Sequence, residues 1–297
     1  MQVSSLISRV PAREPSEYDF KFRMEAPANT PSFSGIVAYP ASADSSKFCS
    51  WSRTNCIDGD IGQNTPQGYA AITFDDGPTP YSADLGKFLA DNKQSSTHFL
   101  IGSAILNNPD AFAEMIKYKD LMQFGIHTTT HSLQTTKTDL QIVADLGWTA
   151  QMIYDATGLV PLYWRAPEGD VDVRVRAIAK EVFGLQHVIW NRDTDDWCMN
   201  PSGGPESSIE TCKTQSFDKV TAVYKGWAHN SSLEGINVLM HETKPSTVNA
   251  FKSFYAELKG SKYKIGSVAD VLSAPAYQNQ FATSDPVEKA KSIMPTR

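Results

Sequence analysis

From residue 69 onward, short apolar runs alternate with stretches whose apolar residues recur at helical spacing. Runs at 69–74, 97–101, 121–126, 161–164, 186–190 and 236–240 read as strands. Between the first two, 81–92 carries Leu85, Phe88 and Leu89 on one helical face. Segments 111–118, 138–157, 173–183, 217–228 and 247–258 read as further helices, and a strand at 263–265 with a helical turn at 268–272 closes the series. Strands that alternate with helices are parallel strands with helical crossovers, which close into a (β/α) barrel or open into a doubly wound sheet. A dinucleotide-binding open sheet places Gly-x-Gly-x-x-Gly after its first strand. Here Asp75-Asp76-Gly77-Pro78 stands at that point, which favours the barrel. The fold class is therefore α/β, with parallel inner strands over 68–275. Residues 1–67 are rich in Ser, Pro, Ala and Asn and show no periodic pattern. They read as an irregular extension wrapped on the barrel, and 276–297 reads as a C-terminal tail or polar helix.

The unusual polar residues fall just after the strands. Asp75 and Asp76 follow the first, His127 and His131 follow 121–126, and Arg165 follows 161–164. Asp193, Asp195 and Asp196 follow 186–190, and His241 follows 236–240. In a barrel the C-terminal strand ends share one face, where active sites are built, so five separated segments converge on one pocket. Two adjacent carboxylates repel each other unless a cation or a buried arginine compensates one of them. Neighbouring side chains diverge in an extended strand, so one acid of the pair can bind an ion while the other handles a proton. His127-Thr-Thr-Thr-His131 carries imidazoles at i, i+4, which on a helical turn share one face and can grip one ion. The run is not His-Glu-x-x-His, so a metalloprotease helix is disfavoured. An acid from the pair completes a His-His-carboxylate set with an open position, the pattern of catalytic Zn²⁺; Co²⁺ or another divalent ion also suits such ligands. Arg165 is available to keep the second acid ionised and oriented. His241 is suited to protonate a departing amine, with Asp196 favouring its charged form.

Composition narrows the class. The chain has 297 residues, ordinary apolar and charged fractions and a formal net charge of -6, which argues against nucleic acid and gives no basic membrane patch. No apolar run is long enough to cross a bilayer, and no transmembrane segment is expected. The N-terminus lacks the apolar core of a signal peptide, so the sequence is read as beginning after a removed signal. Cys49 and Cys56 form one close pair and Cys198 and Cys212 another; neither spacing matches a zinc ribbon or a Cys-x-x-Cys redox site. Two local disulfides in a secreted or cell-wall protein are expected, and Asn230-Ser231-Ser232 is a glycosylation sequon.

Five segments, taken in order, resemble the motif set of the polysaccharide deacetylase family, the NodB homology domain. They are Thr73-Phe-Asp-Asp-Gly-Pro78, His127-Thr-Thr-Thr-His131, Arg165-Ala-Pro-Glu-Gly169, Asp193-Thr-Asp-Asp-Trp197 and Leu239-Met-His241. The phrases Gly169-Asp-Val-Asp172, Arg174-Val-Arg-Ala-Ile178 and Phe183-Gly-Leu185 are similar to fungal chitin deacetylases. The resemblance covers roughly 68–275 and implies a distorted (β/α) barrel. It implies that Asp75 is the catalytic base, tethered by Arg165, and that Asp76, His127 and His131 hold the metal. It further implies that Asp196 orients His241, the general acid, and that Trp197 and Leu239 line a pocket for the acetyl methyl. The Glu168 N–H would join the metal in stabilising the oxyanion.

Two positions depart from the family pattern. Arg165-Ala166-Pro167-Glu168-Gly169 stands where the family often has Arg-Pro-Pro-Tyr-Gly, putting an acid where an aromatic plate is expected. Glu168 is expected to attract a cationic glucosamine in a neighbouring subsite. Glu242 replaces the common aspartate after the histidine. The expected activity is metal-dependent removal of N-acetyl groups from N-acetylglucosamine units of chitin or partly deacetylated chitosan by a monomer. An O-acetyl xylan esterase, a peptidoglycan deacetylase and a non-catalytic chitin-binding protein are the alternatives.

Overall fold

A computed structural model describes residues 49–57, 59–199 and 211–280. The reading of 284 onward as a polar helix or tail, and most of the N-terminal extension, lies outside the described residues. Among the described residues there are eight strands: β1 (Tyr69–Gly77), β2 (Ser96–Leu100), β3 (Met122–Ile126), β4 (Tyr163–Trp164), β5 (Gln186–His187), β6 (Arg192–Asp193), β7 (Ile236–His241) and β8 (Lys264–Gly266). Their order is β5-β4-β3-β2-β1-β7-β6, with β8 beside the start of β1, and every pairing is parallel.

The two ends of that order, β5 and β6, are successive pieces of one run of chain. The sheet therefore curls until it meets the same segment from both sides, as a distorted (β/α) barrel does. The single strand expected at 186–190 is split for this reason. Val188 still donates to Trp164 of β4, whereas Asn191 donates to Asn237 of β7. Between them Ile61, from the N-terminal side, donates to His187 O and accepts from Ile189 N, so an outside residue fills the gap in the ladder.

The central strand β1 is buried on both faces. Ala70, Ile72 and Phe74 make one face apolar, while Ala71, Thr73 and Asp75 are buried on the other, as expected of a parallel strand covered by helices on one side and the barrel interior on the other. Most helices start and stop on local signals. The helix Asp139–Thr157 opens on a Thr138/Gln141 capping box and ends at left-handed Gly158. The helix Val173–Phe183 opens on Asp172, whose carboxylate accepts from Val175 N, and ends at Gly184. The helix expected at 111–118 spans Pro109–Ile116, and an unexpected short helix, Gly102–Asn107, precedes it. Pro109 suits the first turn of a helix and cannot continue the previous one, which explains the break.

Both cysteine pairs form disulfides, Cys49–Cys56 and Cys198–Cys212. The first loop is bound to the barrel by Arg176, which donates to Cys49 O, Cys56 O and the Asp60 carboxylate. Past residue 275, Tyr277 is buried and its hydroxyl accepts the Phe124 N–H of β3 at 2.8 Å. Replacing Tyr277 with Phe removes that acceptor and leaves a buried N–H unpaired, so about 1–3 kcal/mol of stability should be lost. Urea unfolding checks this; an unchanged midpoint would show that the Tyr277 hydroxyl adds nothing to stability.

Candidate functional site

Asp75 and Asp76 lie within the C-terminal end of β1 rather than after it, because the strand runs on to Gly77. Its register with β2 shifts between Asp75 and Gly77, and Asp76 takes a left-handed φ of 70. The bulge cancels the alternation that would send adjacent side chains to opposite faces. Both acids therefore face the same imidazole: His127 Nε2 is 3.6 Å from Asp75 Oδ2 and 3.4 Å from Asp76 Oδ1.

The segment His127–His131 is not a helical turn. It is an irregular loop after β3 in which Thr128 and His131 have φ of 63 and 51. The two rings nonetheless meet, with centroids 5.0 Å apart. His131 Nε2 is 3.3 Å from the same Asp76 Oδ1 that faces His127. His127 Nδ1 donates to Arg165 O at 2.8 Å, which leaves Nε2 as a free acceptor facing Asp76. Asp76 Oδ1 is buried and has no hydrogen-bond partner.

These three residues make a donor set that suits a divalent cation. Ligand atoms from Asp76, His127 and His131 all lie within 4.8 Å of one another. Ligands about 2.0–2.1 Å from a tetrahedral zinc stand roughly 3.3 Å apart, close to the two Asp76–histidine separations. Burial raises the Asp76 pKa, but the His127 and His131 imidazoles close to Oδ1 and the charge of His241 outweigh it, so the carboxyl is held well below the usual range.

Arg165 is completely buried. Its Nη1 donates to Asp75 Oδ1 and to Thr73 Oγ1, both at 2.8 Å. Nε donates to Val188 O, and Nη2 donates to Asn237 Oδ1 at 3.4 Å. The guanidinium also lies over the Phe99 ring at 4.3 Å. Asp75 is thereby held by one oxygen, and its other oxygen faces the site.

His241 ends β7, beside Asp75 in register. Its Nδ1 is 2.6 Å from Asp196 Oδ1, and its backbone N–H donates to Asp196 Oδ2 at 3.0 Å, so both oxygens of this buried acid are spent on one residue. Burial lowers the His241 pKa, but Asp196 by charge and hydrogen bond, then Asp76 and Asp75, raise it to about 10. His241 Nε2 lies 4.0 Å from Asp76 Oδ2, facing the cation set. Asp193 and Asp195 do not join this group: Asp193 is exposed, and its carboxylate accepts the Asp195 N–H.

At the rim, Glu168 is exposed in the turn Pro167–Gly169, with a left-handed φ of 55, and its charge acts on His131. Leu239 is buried on β7 and Trp197 is 36% exposed in the turn that follows Asp196. Gly169, also left-handed, lies under Trp51, whose ring a Cβ would strike at 2.3 Å. The N-terminal disulfide loop thus presses one aromatic onto the Arg165–Gly169 turn.

Glu242 is fully buried and bonds His98 Nδ1 at 2.9 Å, while His98 Nε2 meets Ser96 Oγ. This pair beneath Gly77 answers where the longer acid goes. His98 sits inside an apolar strand with no motif around it, so nothing local marks it. Asp145 is likewise outside every motif, although it stands on the buried face of its helix with Ile142 and Leu146. A polar residue on an apolar stripe was the available signal.

Residues 62–187 match the polysaccharide deacetylase family. Chitin deacetylase 3 of Cryptococcus neoformans is 36% identical over 267 residues, 88% of this chain. The chain spans 62% of that relative's length. Among solved structures, a family 4 carbohydrate esterase from Streptomyces lividans, in complex with acetate, is 26% identical with a TM-score of 0.54, covering 67% of this chain and 91% of that one. The chitin deacetylase of Colletotrichum lindemuthianum shares the fold at TM-score 0.60 and 22% identity, over 76% of this chain and 99% of the other.

The His241–Asp196 contact sets a pH dependence. A histidine pKa raised from 6.5 to about 10 contributes stability that is fully present below 6.5 and is lost as pH rises towards 10. Imidazole resonances of the metal-free protein should show His241 still protonated at pH 8. In Asp196→Asn the titration should move down towards the ordinary value, and a His241 that is neutral at pH 8 in the parent would contradict the assignment.

Proposed function

The chain carries a polysaccharide deacetylase domain, and from that premise we propose that it is a hydrolase that removes N-acetyl groups from N-acetylglucosamine units of chitin or partly deacetylated chitosan, releasing acetate. The observation that carries this reading is the division of labour around Asp76. Asp75, anchored by Arg165, and His241, anchored by Asp196, both border the Asp76–His127–His131 set.

A divalent cation held by Asp76, His127 and His131, Zn²⁺ or Co²⁺, would supply Lewis acidity to the scissile carbonyl and the attacking water. Asp75 takes the proton of that water on Oδ2, the oxygen that Arg165 does not occupy. Arg165 fixes the direction of Asp75 by donating to Oδ1. His241 gives a proton from Nε2 to the departing amine, because Asp196 holds the Nδ1 side of the ring. The Glu168 N–H, set by a backbone conformation unusual for a side-chain-bearing residue, stabilises charge on the carbonyl oxygen. Trp197 and Leu239 border the acetyl methyl. The Glu168 carboxylate attracts a glucosamine ammonium in the next subsite, so partly deacetylated polymer is preferred. Two disulfides suit a secreted or cell-wall protein.

Acetate release from chitooligosaccharides, chitosan, peptidoglycan and acetylxylan, with and without added zinc, tests the reading. Release should follow the N-acetyl substrates and stop on chelation; release confined to acetylxylan would make the protein an O-acetyl esterase. Asp75→Asn keeps an acceptor for Arg165, so it separates chemistry from folding, and it should cut turnover by about 10²–10⁴-fold. Retention of most of the turnover would rule out Asp75 as the base. Glu168→Tyr should erase the preference for partly deacetylated polymer, and equal behaviour of variant and parent on both polymers would sink the glucosamine subsite.

A further inference from the structure

The loop that carries the two imidazoles is held unevenly. His127 is fixed at the end of a strand: its N–H donates to Leu100 O and its Nδ1 to Arg165 O, both at 2.8 Å. His131 stands four residues further on, in a loop with two left-handed non-glycine residues, and its own N–H bonds only within the loop, to Thr128 Oγ1. Such backbone persists only where its surroundings impose it.

A buried carboxylate imposes it here. Asp145, 3% exposed, projects from the helix Asp139–Thr157 into the loop. Its Oδ1 accepts two successive backbone N–H groups, Thr129 at 3.1 Å and Thr130 at 2.9 Å. Its Oδ2 accepts Thr130 Oγ1 at 3.0 Å and Gln134 Nε2 at 2.8 Å, with Lys137 Nζ 3.3 Å away. Successive N–H groups turned onto one oxygen form an anion-binding concavity, and here the anion is the protein's own side chain. Asp145 O also accepts Thr129 Oγ1 at 2.9 Å. From the other side, Gly102 and Ser103 donate to the carbonyls of Thr128 and Thr129.

We propose that Asp145 is a positioning residue for the cation site, setting through the Thr129–Thr130 backbone where His131 stands relative to Asp76 and His127. This rests on the reading of Asp76, His127 and His131 as cation ligands. The carboxylate acts on one ligand of three, because His127 and Asp76 are placed by strand ends that do not depend on it. Asparagine at 145 keeps the size but turns one oxygen into an NH₂ group facing hydrogen-bond donors, so the loop loses part of its anchor.

Zinc affinity of the metal-free full chain, measured by competition with a chromophoric chelator at fixed pH, tests the proposal without reference to activity. Asp145→Asn should bind Zn²⁺ about 10–100-fold more weakly than the parent, the range found when supporting partners of metal ligands are removed. In a His131→Ala background the same substitution should add little further loss. Unchanged affinity in Asp145→Asn overturns the proposal, and so does an equal loss in both backgrounds, which would show that Asp145 acts on the fold and not through His131. His127→Ala separates the premise: if it binds zinc as well as the parent, the cation site itself falls and the inference with it. If Asp145→Asn does not fold, exposed Thr130→Val, which removes the hydroxyl that donates to Oδ2 and also meets Ser132 Oγ and Lys137 Nζ, takes its place while leaving both backbone N–H bonds to Oδ1. Several-fold weaker binding then supports the proposal and unchanged binding overturns it.

Discussion

A single buried cation organises the barrel. The Arg165 guanidinium has no contact with solvent, and removing such a charge from water costs several kcal/mol unless its donors are satisfied and an anion lies beside it. The anion is Asp75, and the remaining donors go to Thr73, Asn237 and the Val188 carbonyl. One side chain thus binds β1, β7 and the segment that closes the barrel. Its own backbone carbonyl meanwhile fixes the ring of His127. Asp75 and His127 are placed by opposite ends of the same residue, so the fold cannot satisfy its buried charge without also setting these two side chains.

The same economy recurs around the mouth of the site, where buried carboxylates stand in for regular secondary structure. Asp196 spends both oxygens on His241, and Asp145 gathers the loop behind His131. Asp170 accepts from Thr135 and from Ser52, so it joins the histidine loop to the N-terminal disulfide segment. Arg176 holds that segment to Asp60. Loops that follow short parallel strands have few ladder partners of their own, and a buried acid that receives several donors supplies what the ladder does not. The cost of burying each charge is offset only while every donor is in place, which makes the arrangement unforgiving of change at any one partner.

Much of the architecture was legible in the chain. The alternation of strand and helix, the capped starts at Thr138 and Asp172 and the pairing of the cysteines are local signals, read within a few residues of themselves. The concentration of Asp75, Asp76, His127, His131, Arg165, Asp196 and His241 behind strand ends was equally readable, because parallel strands deliver their C-terminal ends to one face. What stayed hidden were features with no local signature. A bulge at Asp76 puts two adjacent acids on one side, a loop and not a helix presents His127 and His131, and His98 looked like any residue of an apolar strand.

By itself the sequence determined which groups reach the site: periodicity sets the elements, and turn residues set where each polar side chain leaves its strand. Tertiary structure decided what each group does there. Arg165 meets Asp75 across 90 residues, His241 meets Asp196 across 45 and Glu242 meets His98 across 144. Strand order and register bring those partners together, and an acid's role depends on whether its neighbour is a guanidinium, an imidazole or water. Neighbours so distant along the chain leave no trace in the residues between them.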